Sequence, residues 1–355
     1  MKSDRIAVIG AGGGGSACAV GFSLDGFKVS LCGRSFSQGK RAEIEFTGEV
    51  GEGTVSLGSV TSNIKEAIED AGTIFVIVPA FAQKEVARQL FQTVTRKQIV
   101  VFAPGACASI ESRFLLDKVD LIGELLTIPY GGRVGKRGLV DISAPMRALG
   151  TKMRAASFPA SNNDRFLEAF TETINVKPAA NVIETGLLNP SSLVHPSIML
   201  LNLGSFENKS SMFSELRDGY TSSAERLVQL LDVEKQSVCK AFGVASLSLN
   251  EVYQEFAGLR LDLSGRRMDE TKRGIYSIQE RFVTEDVPYG LVLISSLAKL
   301  VRVETPLIDS VVRVFSAARG ENYFETGRNI SNMSIEGFSK SELLTLVQNS
   351  PTADS

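Results

Sequence analysis

The spacing of apolar residues predicts that strands and helices alternate through the first part of the chain. Short apolar runs, typical of strands buried in a parallel sheet, occur at residues 5–9, 27–32, 73–78, 99–102 and 121–127. Stretches with helical character lie between them at residues 16–24, 83–91 and 110–116. This alternation predicts an α/β fold with a doubly wound parallel sheet and helices on both of its faces.

The pattern changes after about residue 183. From there on, apolar residues recur mostly at spacings of three and four, as in Leu227, Leu230 and Leu231 or Leu291, Ile294 and Leu297. This spacing is typical of amphipathic helices, and no convincing series of strands returns. A chain of 355 residues also exceeds one typical core. We therefore predict a sheet domain over residues 1–183 and an all-helical second domain over residues 184–350.

A glycine-rich loop follows the first predicted strand directly and opens the first helix. Gly10, Gly12 and Gly15 form the pattern G-x-G-x-x-G, with Gly13 and Gly14 inside the same loop. The first glycine permits a tight turn, the second a close approach of the backbone to a diphosphate, and the third close packing of helix on strand. The N–H groups at the helix start favour an anion. The loop predicts a Rossmann domain that binds a nicotinamide dinucleotide; a flexible turn is the alternative interpretation.

The end of the second predicted strand indicates which coenzyme binds. An acidic residue there would hold the ribose 2′-hydroxyl of NAD, but this chain has Arg34 and Ser35 after Gly33. Arg34 can pair with a 2′-phosphate and Ser35 can donate a hydrogen bond to it. We expect NADP(H). If Arg34 is instead a solvated arginine stacked on adenine, NAD becomes the coenzyme.

Composition excludes several classes of function. The net charge of −2 provides no basic surface for nucleic acid or for an anionic membrane. No apolar run approaches the roughly 18 residues that span a bilayer. The four cysteines form no CxxC pair, which argues against a zinc site or disulfide framework and fits the reducing cytoplasm. We expect a cytoplasmic protein with small-molecule partners. A homodimer is compatible with the sequence, which does not fix the oligomeric state.

His195 is the only histidine, so any imidazole chemistry depends on it. Pro196 follows it and lacks an N–H, so a helix here must start or kink at that residue. Asn202 lies seven residues further on, on the same helical face. Two polar residues on one side of an apolar run suggest the wall of a cavity. A core histidine satisfied by one hydrogen bond is the alternative.

Several motifs resemble those of one dehydrogenase family. Besides the glycine loop, the first domain carries Val78-Pro79-Ala80, Ala103-Pro104-Gly105 and Glu124-Leu-Leu-Thr-Ile-Pro-Tyr-Gly-Gly-Arg133. The second carries Asn189-Pro-x4-His195-Pro196 with Leu200-Leu201-Asn202, Arg281-Phe-x-x-Glu285-Asp286-Val-x-x-Gly290 and Thr305-Pro306-Leu-Ile-Asp309. The first-domain pieces are shared with many reductases. The second-domain pieces, in this order, resemble the octopine/nopaline (opine) dehydrogenases over nearly the whole chain.

The resemblance implies a reaction and roles for named residues. Such enzymes condense the amino group of an amino acid with an α-keto acid, and NAD(P)H reduces the imine to a secondary amine. The family's catalytic histidine falls on His195 and its partner aspartate on Asp309, while Pro79 and Ala80 belong to the coenzyme site. An imidazole exchanges protons near neutral pH, and a carboxylate on its other nitrogen fixes the tautomer.

Three polar residues have a second interpretation. Asp309 follows Thr305 and Pro306, so it can simply complement the dipole at a helix start. Asp286 can cap the helix that runs through Leu297, and we expect this role rather than a catalytic one. Arg133 can bind a substrate carboxylate or lie in solvent as a surface arginine.

Two other functions remain open at the level of the sequence. One is a carbonyl reductase on the same architecture, such as a ketopantoate reductase or a 3-hydroxyacid dehydrogenase, which needs no amine. The other is a dinucleotide sensor without catalytic activity. His195 together with the aspartate argues against the sensor.

Overall fold

The computed structural model describes residues 4–36, 40–135, 138–145, 151–170, 174–207, 219–258 and 281–349. These residues form two compact units. The first contains the described residues through Thr185, together with Glu255–Gly258 and the described chain from Leu346 onward. The second contains the other described residues between Gly186 and Thr345. The chain thus passes from one unit to the other two residues after the predicted boundary.

One sheet organises the first unit. Its strands within the described residues are β1 (Arg5–Ile9), β2 (Lys28–Cys32), β3 (Lys40–Gly48), β4 (Gly53–Thr61), β5 (Thr73–Val76), β6 (Ile99–Phe102), β7 (Leu121–Leu125), β8 (Tyr130–Val134), β9 (Val140–Pro145), β10 (Met153–Phe158) and β11 (Val176–Pro178). The order across the sheet is β11-β10-β7-β6-β5-β1-β2-β4-β3-β9-β8.

The helices of this unit connect the parallel strands. They are α1 (Gly13–Leu24), α2 (Ile64–Ile68), α3 (Ala80–Phe91), α4 (Ala108–Glu111) and α5 (Asn163–Glu168), and α6 (Val182–Leu187) follows at the border with the second unit. Most of α1 is buried, because its residues are small or apolar. Short 3₁₀ turns lie at Arg113–Asp117 and Ala160–Asn162.

The predicted doubly wound sheet is confirmed in the centre of the unit. The six strands β7, β6, β5, β1, β2 and β4 pair in parallel. The chain leaves β1 toward β2 on one side, and it leaves β5 toward β6 on the other. Because such crossovers are right-handed, α1 and α3 cover opposite faces of the sheet. The order of strands reverses at β1, which is where ligands bind in folds of this class.

The outer strands extend the sheet in ways that the apolar runs do not predict. β3 pairs antiparallel with β4, β8 pairs antiparallel with β9, and β10 pairs antiparallel with β7. These strands lack uninterrupted apolar runs. β4, the central strand to which β3 is added, also lacks such a run: Val55 and Leu57 are buried while their neighbours Thr54 and Ser56 are exposed. Such alternation marks a strand with one face toward the core and one toward solvent.

The second unit is helical throughout its described residues, as predicted. From the border onward the helices are α7 (Ser191–Leu201), α8 (Leu203–Glu207), α9 (Ser222–Phe242), α10 (Leu249–Ala257), α11 (Arg281–Thr284), α12 (Val292–Leu300), α13 (Pro306–Arg319), α14 (Tyr323–Thr326) and α15 (Lys340–Gln348). A π-helical turn, Val287–Leu291, leads into α12. Among the helices described, none has the length and apolar character needed to cross a membrane.

The helix that carries His195 is held by an apolar core. Val194 and Ile198 of α7 pack with Ala224 and Val228 of α9 and with Leu249. α9 begins where the Oγ1 of Thr221 accepts a hydrogen bond from the N–H of Ala224. Packing of this kind fixes the rotation of α7 and so determines where the imidazole points.

Candidate active site

The loop between β1 and α1 is in close contact with backbone atoms at two of its glycines, Gly10 and Gly15. A side chain at Gly10, whose φ is +121°, would place Cβ 2.1 Å from the carbonyl oxygen of Ile77. A Cβ at Gly15 would lie 1.8 Å from the carbonyl oxygen of Gly10. The N–H of Gly10 also donates to the carbonyl of Cys32 at 2.9 Å. Only glycine fits these two positions, where β1, β2, β5 and α1 meet.

Gly12 lies at the open side of the same loop. It is the N-cap residue of α1, and a Cβ added there would meet no atom within 4 Å. The first turn of α1 contains no acidic side chain. Open space beside free helix N–H groups suits a diphosphate, because the helix dipole favours negative charge. The residues present therefore fit a dinucleotide.

The middle glycines of the loop pack against protein. A Cβ at Gly13 would lie 2.3 Å from the carbonyl oxygen of Gly132 in β8, and one at Gly14 would lie 2.8 Å from Cδ1 of Ile128. The Tyr130 hydroxyl, in the same strand, donates to Asp25 at 2.8 Å. The absence of side chains at Gly13 and Gly14 lets β8 and the preceding Ile128 lie close to α1, a structural role that the sequence pattern does not reveal.

A second helix start lies at the same edge of the sheet. Pro79 is the N-cap residue of α3, which begins at Ala80, four residues after the last residue of β5, Val76. β5 is the neighbour of β1, and the N–H of Ile77 donates to the carbonyl of Ile9 at 2.8 Å. Pro79 and Ala80 are therefore placed beside the glycine loop, where the sequence predicts coenzyme contacts.

The structure places Arg34 and Ser35 in the turn that follows β2. The N–H of Phe36 closes the turn on the carbonyl of Gly33 at 3.1 Å, and Arg34 and Ser35 are exposed. A Cβ at Gly33 would lie 2.4 Å from Cβ of Ala11, so the turn abuts the glycine loop. Both side chains can thus reach a ligand held by that loop.

One carboxylate near the end of β2 comes from a distant part of the chain. Glu66 of α2 accepts a hydrogen bond from the Thr61 hydroxyl at 2.7 Å. Burial raises the pKa of Cys32 to about 11, and the charge of Glu66 adds to that rise. Glu66 therefore lies near β2. No local sequence signal identifies it, because it follows the β2 end by more than thirty residues.

His195 forms a pair with an aspartate from another element of the second unit. Its Nδ1 lies 2.8 Å from Oδ2 of Asp286. The ring of Phe282 stacks on the imidazole with a centroid distance of 3.7 Å and an interplanar angle of 19°. The side chains of His195 and Asp286 are 23% and 14% exposed, so the pair is shielded but can be reached. The stacked ring restricts rotation of the imidazole, and the carboxylate favours a proton on Nδ1.

The expected partner, Asp309, is bonded elsewhere. Its Oδ1 accepts a hydrogen bond from the Ser295 hydroxyl at 2.6 Å and a longer one from Thr305 at 3.5 Å. It lies in the first turn of α13, where a carboxylate complements the helix dipole. The expected pairing of His195 with Asp309 is thus replaced by one with Asp286. Asp286 precedes the π-helical turn and makes no side-chain capping bond, contrary to our expectation.

The structure also shows the surroundings of Asn202 and Arg133, the two residues predicted to contact the substrate. Nδ2 of Asn202 donates to the carbonyls of Ile198 and Gly219, at 2.8 and 2.9 Å, and the residue ends α7. These bonds favour a capping role over substrate binding. Arg133 is exposed in β8, beside Gly132, which packs on the glycine loop. The helix α7 itself runs through Pro196 rather than starting there.

A cation that sequence reasoning missed lies next to the pair. Arg281 begins α11, one residue before Phe282, and its Nε bonds the carboxylate of Glu285. Burial lowers the pKa of Arg281, but the charges of Glu285 and Asp286 outweigh this and raise it. Its side chain is 60% exposed. The signal that could have found it is its position in the segment 281–290, which also contains Asp286 and resembles a family motif.

Family models match the two parts of the chain separately. Residues 6–104 match the family described as ketopantoate reductase PanE/ApbA. Residues 178–319 match the family described as NAD/NADP octopine/nopaline dehydrogenase, alpha-helical domain, and they contain both His195 and Asp286. This chain resembles the octopine/nopaline (opine) dehydrogenases, whose helical-domain model its second part matches. It is an NAD(P)-dependent dehydrogenase that acts on the CH–NH group.

Relatives of this chain include proteins named opine dehydrogenase and vitopine synthase. The opine dehydrogenase of Arthrobacter sp. (strain 1C) is 28% identical, with 98% of this chain and all of the relative covered. Vitopine synthase of Allorhizobium ampelinum is 26% identical, with 78% of each chain covered. The similarity to the first relative thus extends over both units of this chain.

Solved structures of opine dehydrogenases have the same fold. Octopine dehydrogenase with NADH and L-arginine superposes with a TM-score of 0.70 at 19% identity, covering 98% of this chain and 99% of the other. Yersinopine dehydrogenase with NADP⁺ gives a TM-score of 0.72 at 14% identity, covering 94% and 98%. The predicted Rossmann domain with a helical second domain is confirmed by these matches.

Proposed function

We propose that this opine dehydrogenase uses NADPH to join the amino group of an amino acid to an α-keto acid. The observation that carries the proposal is the His195–Asp286 pair, held at 2.8 Å within the helical domain that identifies the family. The amine and the keto carbonyl condense to an imine with loss of water. A bound coenzyme would supply hydride to the imine carbon, and a proton delivered to the nitrogen would complete the secondary amine.

His195 is the proton-exchanging group in this proposal. With Nδ1 donating to Asp286, the other ring nitrogen, Nε2, is the one that gives a proton to the reacting centre or takes one from it. Asp286 stabilises the imidazolium that forms when Nε2 is protonated. Phe282 covers one face of the ring and holds it in a single orientation.

The substrates of such a reaction carry carboxylates, which need a cation. Arg281 supplies a positive charge beside the pair and keeps an exposed side chain. Its planar guanidinium matches a carboxylate in two-point fashion. We assign Arg281 to substrate carboxylate binding. Carboxylate binding by Arg133 and a substrate contact by Asn202 stay predictions, the latter weakened by the backbone bonds of its amide nitrogen.

The choice of NADP(H) over NAD(H) rests on Arg34 and Ser35. Both lie exposed in a turn that abuts the glycine loop, at the position that reads the adenosine ribose. The carboxylate of Glu66 is engaged by the Thr61 hydroxyl. A pair of a cation and a hydroxyl suits a 2′-phosphate better than a neutral ribose. Relatives differ on this point, since solved opine dehydrogenases bind NADH or NADP⁺.

A carbonyl reductase is the second candidate, because residues 6–104 match the ketopantoate reductase family. That match covers only part of the coenzyme domain and does not include His195. The expected cytoplasmic location also stays a prediction; it is supported by the four cysteines, none of which forms a disulfide bond within the described residues.

A screen of substrate pairs separates these functions. Oxidation of NADPH is followed with pyruvate and other α-keto acids, each with and without a panel of amino acids, and products are weighed by mass spectrometry. We expect oxidation only when both substrates are present, with a product of the mass of the reduced condensate. Oxidation with a keto acid alone would support the carbonyl reductase. Coenzyme binding without oxidation by any pair would support the sensor.

A further inference from the structure

α7, which carries His195, and the π-helical turn that follows Asp286 contact each other one helical turn away from this pair. A Cβ added to Gly290 in the π-helical turn would lie 2.3 Å from Oγ of Ser192, 2.6 Å from its Cβ and 3.1 Å from its Cα. Rotating the serine hydroxyl cannot relieve this contact, because Cβ and Cα do not move with that rotation. The backbone of the turn therefore lies directly on α7.

This contact is close to both members of the pair along the chain. Ser192 precedes His195 by three residues on α7, and Gly290 follows Asp286 by four. One helical turn thus separates the contact from each reactive group. The π-helical turn, in which the N–H of Val292 donates to the carbonyl of Val287, inserts an extra residue at this point.

The turn is also held from its other side. The N–H of Arg328 donates to the carbonyl of Pro288 at 2.8 Å. A Cβ at Gly327 would lie 2.3 Å from that same carbonyl oxygen. The guanidinium of Arg328, which is fully buried, lies 5.2 Å from the centre of the Tyr289 ring. These contacts prevent the π-helical turn from moving away from α7. The core contacts of α7 with α9 prevent α7 from moving away from the turn.

We propose that Gly290 is a positioning residue for the acid–base pair, because its lack of a side chain sets the spacing at which His195 meets Asp286. A methyl group at residue 290 would separate α7 from the turn and lengthen the contact between Nδ1 and Oδ2. The consequence for turnover rests on the function proposed above, whereas the consequence for the pair does not.

The single histidine makes a direct test possible. Untagged protein labelled with ¹⁵N-histidine gives the signals of one imidazole, so the midpoint of its titration reports the charge beside His195. We compare wild type, Gly290→Ala, Ser192→Gly and the double variant. Gly204→Ala is the matched control, because a Cβ there meets no atom within 4 Å.

We expect Gly290→Ala to lower the titration midpoint in the same direction as Asp286→Asn. It should reduce kcat about tenfold or more and change the KM for NADPH by less than about twofold, since the coenzyme loop lies in the first unit. Ser192→Gly, added to Gly290→Ala, removes the two side-chain atoms nearest the methyl group and should restore most of both losses. Gly204→Ala should match wild type.

Two results would overturn the proposal. One is a midpoint in Gly290→Ala equal to that of wild type; the other is a double variant no better than the single one. If Gly290→Ala does not fold, Ser192→Thr adds the methyl group from α7 instead, and an unshifted midpoint there counts against the proposal equally. A wild type without opine activity would defeat the proposed function, but the titration would still decide the role of Gly290.

Discussion

Asp286 lies 2.8 Å from the imidazole of His195 although 91 residues separate the two in sequence. The carboxylate faces Nδ1, so the proposed function assigns proton exchange to Nε2. Asp309, which stands near the start of α13, is bonded to Ser295. Substitution of Asp286 and substitution of Asp309 are therefore expected to differ in their effect on His195.

Asp286→Asn should lower kcat and lower the pH at which His195 is half-protonated. The carboxylate stabilises the imidazolium, so its loss makes the charged form harder to reach, and a lower pH is then needed to protonate the ring. We expect kcat to fall on the order of a hundredfold. Imidazole NMR and the pH profile of kcat measure the two effects.

Asp309→Asn is the matched control for this prediction. It should leave the titration of His195 in place and act through stability, because its bonds go to Ser295 and Thr305. A shift of the titration in Asp309→Asn, with none in Asp286→Asn, would restore the pairing suggested by the family resemblance.

Arg34→Gln should impair the use of NADPH and spare that of NADH. The glutamine keeps a polar, although shorter, side chain and removes the charge that pairs with the 2′-phosphate. The KM for NADPH should rise on the order of tenfold, as for the loss of one charged hydrogen bond. Steady-state kinetics with both coenzymes measures this, and an equal effect on both would show that Arg34 does not read the phosphate.

Gly12→Ala and Gly15→Ala should fail in different ways. A methyl group at residue 12 enters open space, so the variant should melt like wild type yet lose coenzyme affinity. A methyl group at residue 15 would collide with the carbonyl of Gly10, so that variant should be destabilised. Thermal melts and calorimetry with NADPH distinguish the two. Undiminished coenzyme binding by Gly12→Ala would mean that the loop does not hold the diphosphate.

Glu255→Gln should destabilise the first unit at neutral pH and lose its effect in acid. Burial raises the pKa of Glu255, but hydrogen bonds from Arg154 and Lys177 outweigh it and lower the pKa below its ordinary value. The stabilisation is present above the ordinary pKa of a carboxyl and disappears as pH falls through the lowered one. We expect a loss of about 1–3 kcal/mol in the free energy of unfolding near pH 7.

Urea titrations of wild type and Glu255→Gln across pH measure this difference. Asp70→Asn is the matched control, since Asp70 pairs with Arg5 at the exposed surface, where an ion pair contributes little. A difference between wild type and Glu255→Gln that stays constant as the pH falls from 7 into the acid range would contradict the prediction.

The amino-acid sequence by itself determined the doubly wound core and the glycine loop. Apolar runs such as Ile6–Ile9 and Ile99–Phe102 are typical of buried strands, and Gly15 is required by its contact with the carbonyl of Gly10, which arises within one βαβ unit. Both signals are local, because each depends on residues a few positions apart. The switch to three- and four-residue spacing after about residue 183 determined the helical second part in the same way.

Only the tertiary structure decided which residues lie beside His195 and beside the glycine loop. Asp286 and Asp309 are both aspartates near helix starts, and nothing local distinguishes the one that reaches His195. The choice depends on how α7 packs against the turn after Asp286, where Gly290 lies on Ser192. Likewise, the sequence predicts Gly13 and Gly14 as coenzyme contacts, but it does not reveal that Gly132 of β8 lies against Gly13 and Ile128 against Gly14. Such contacts join residues distant along the chain, and packing of the whole domain selects them.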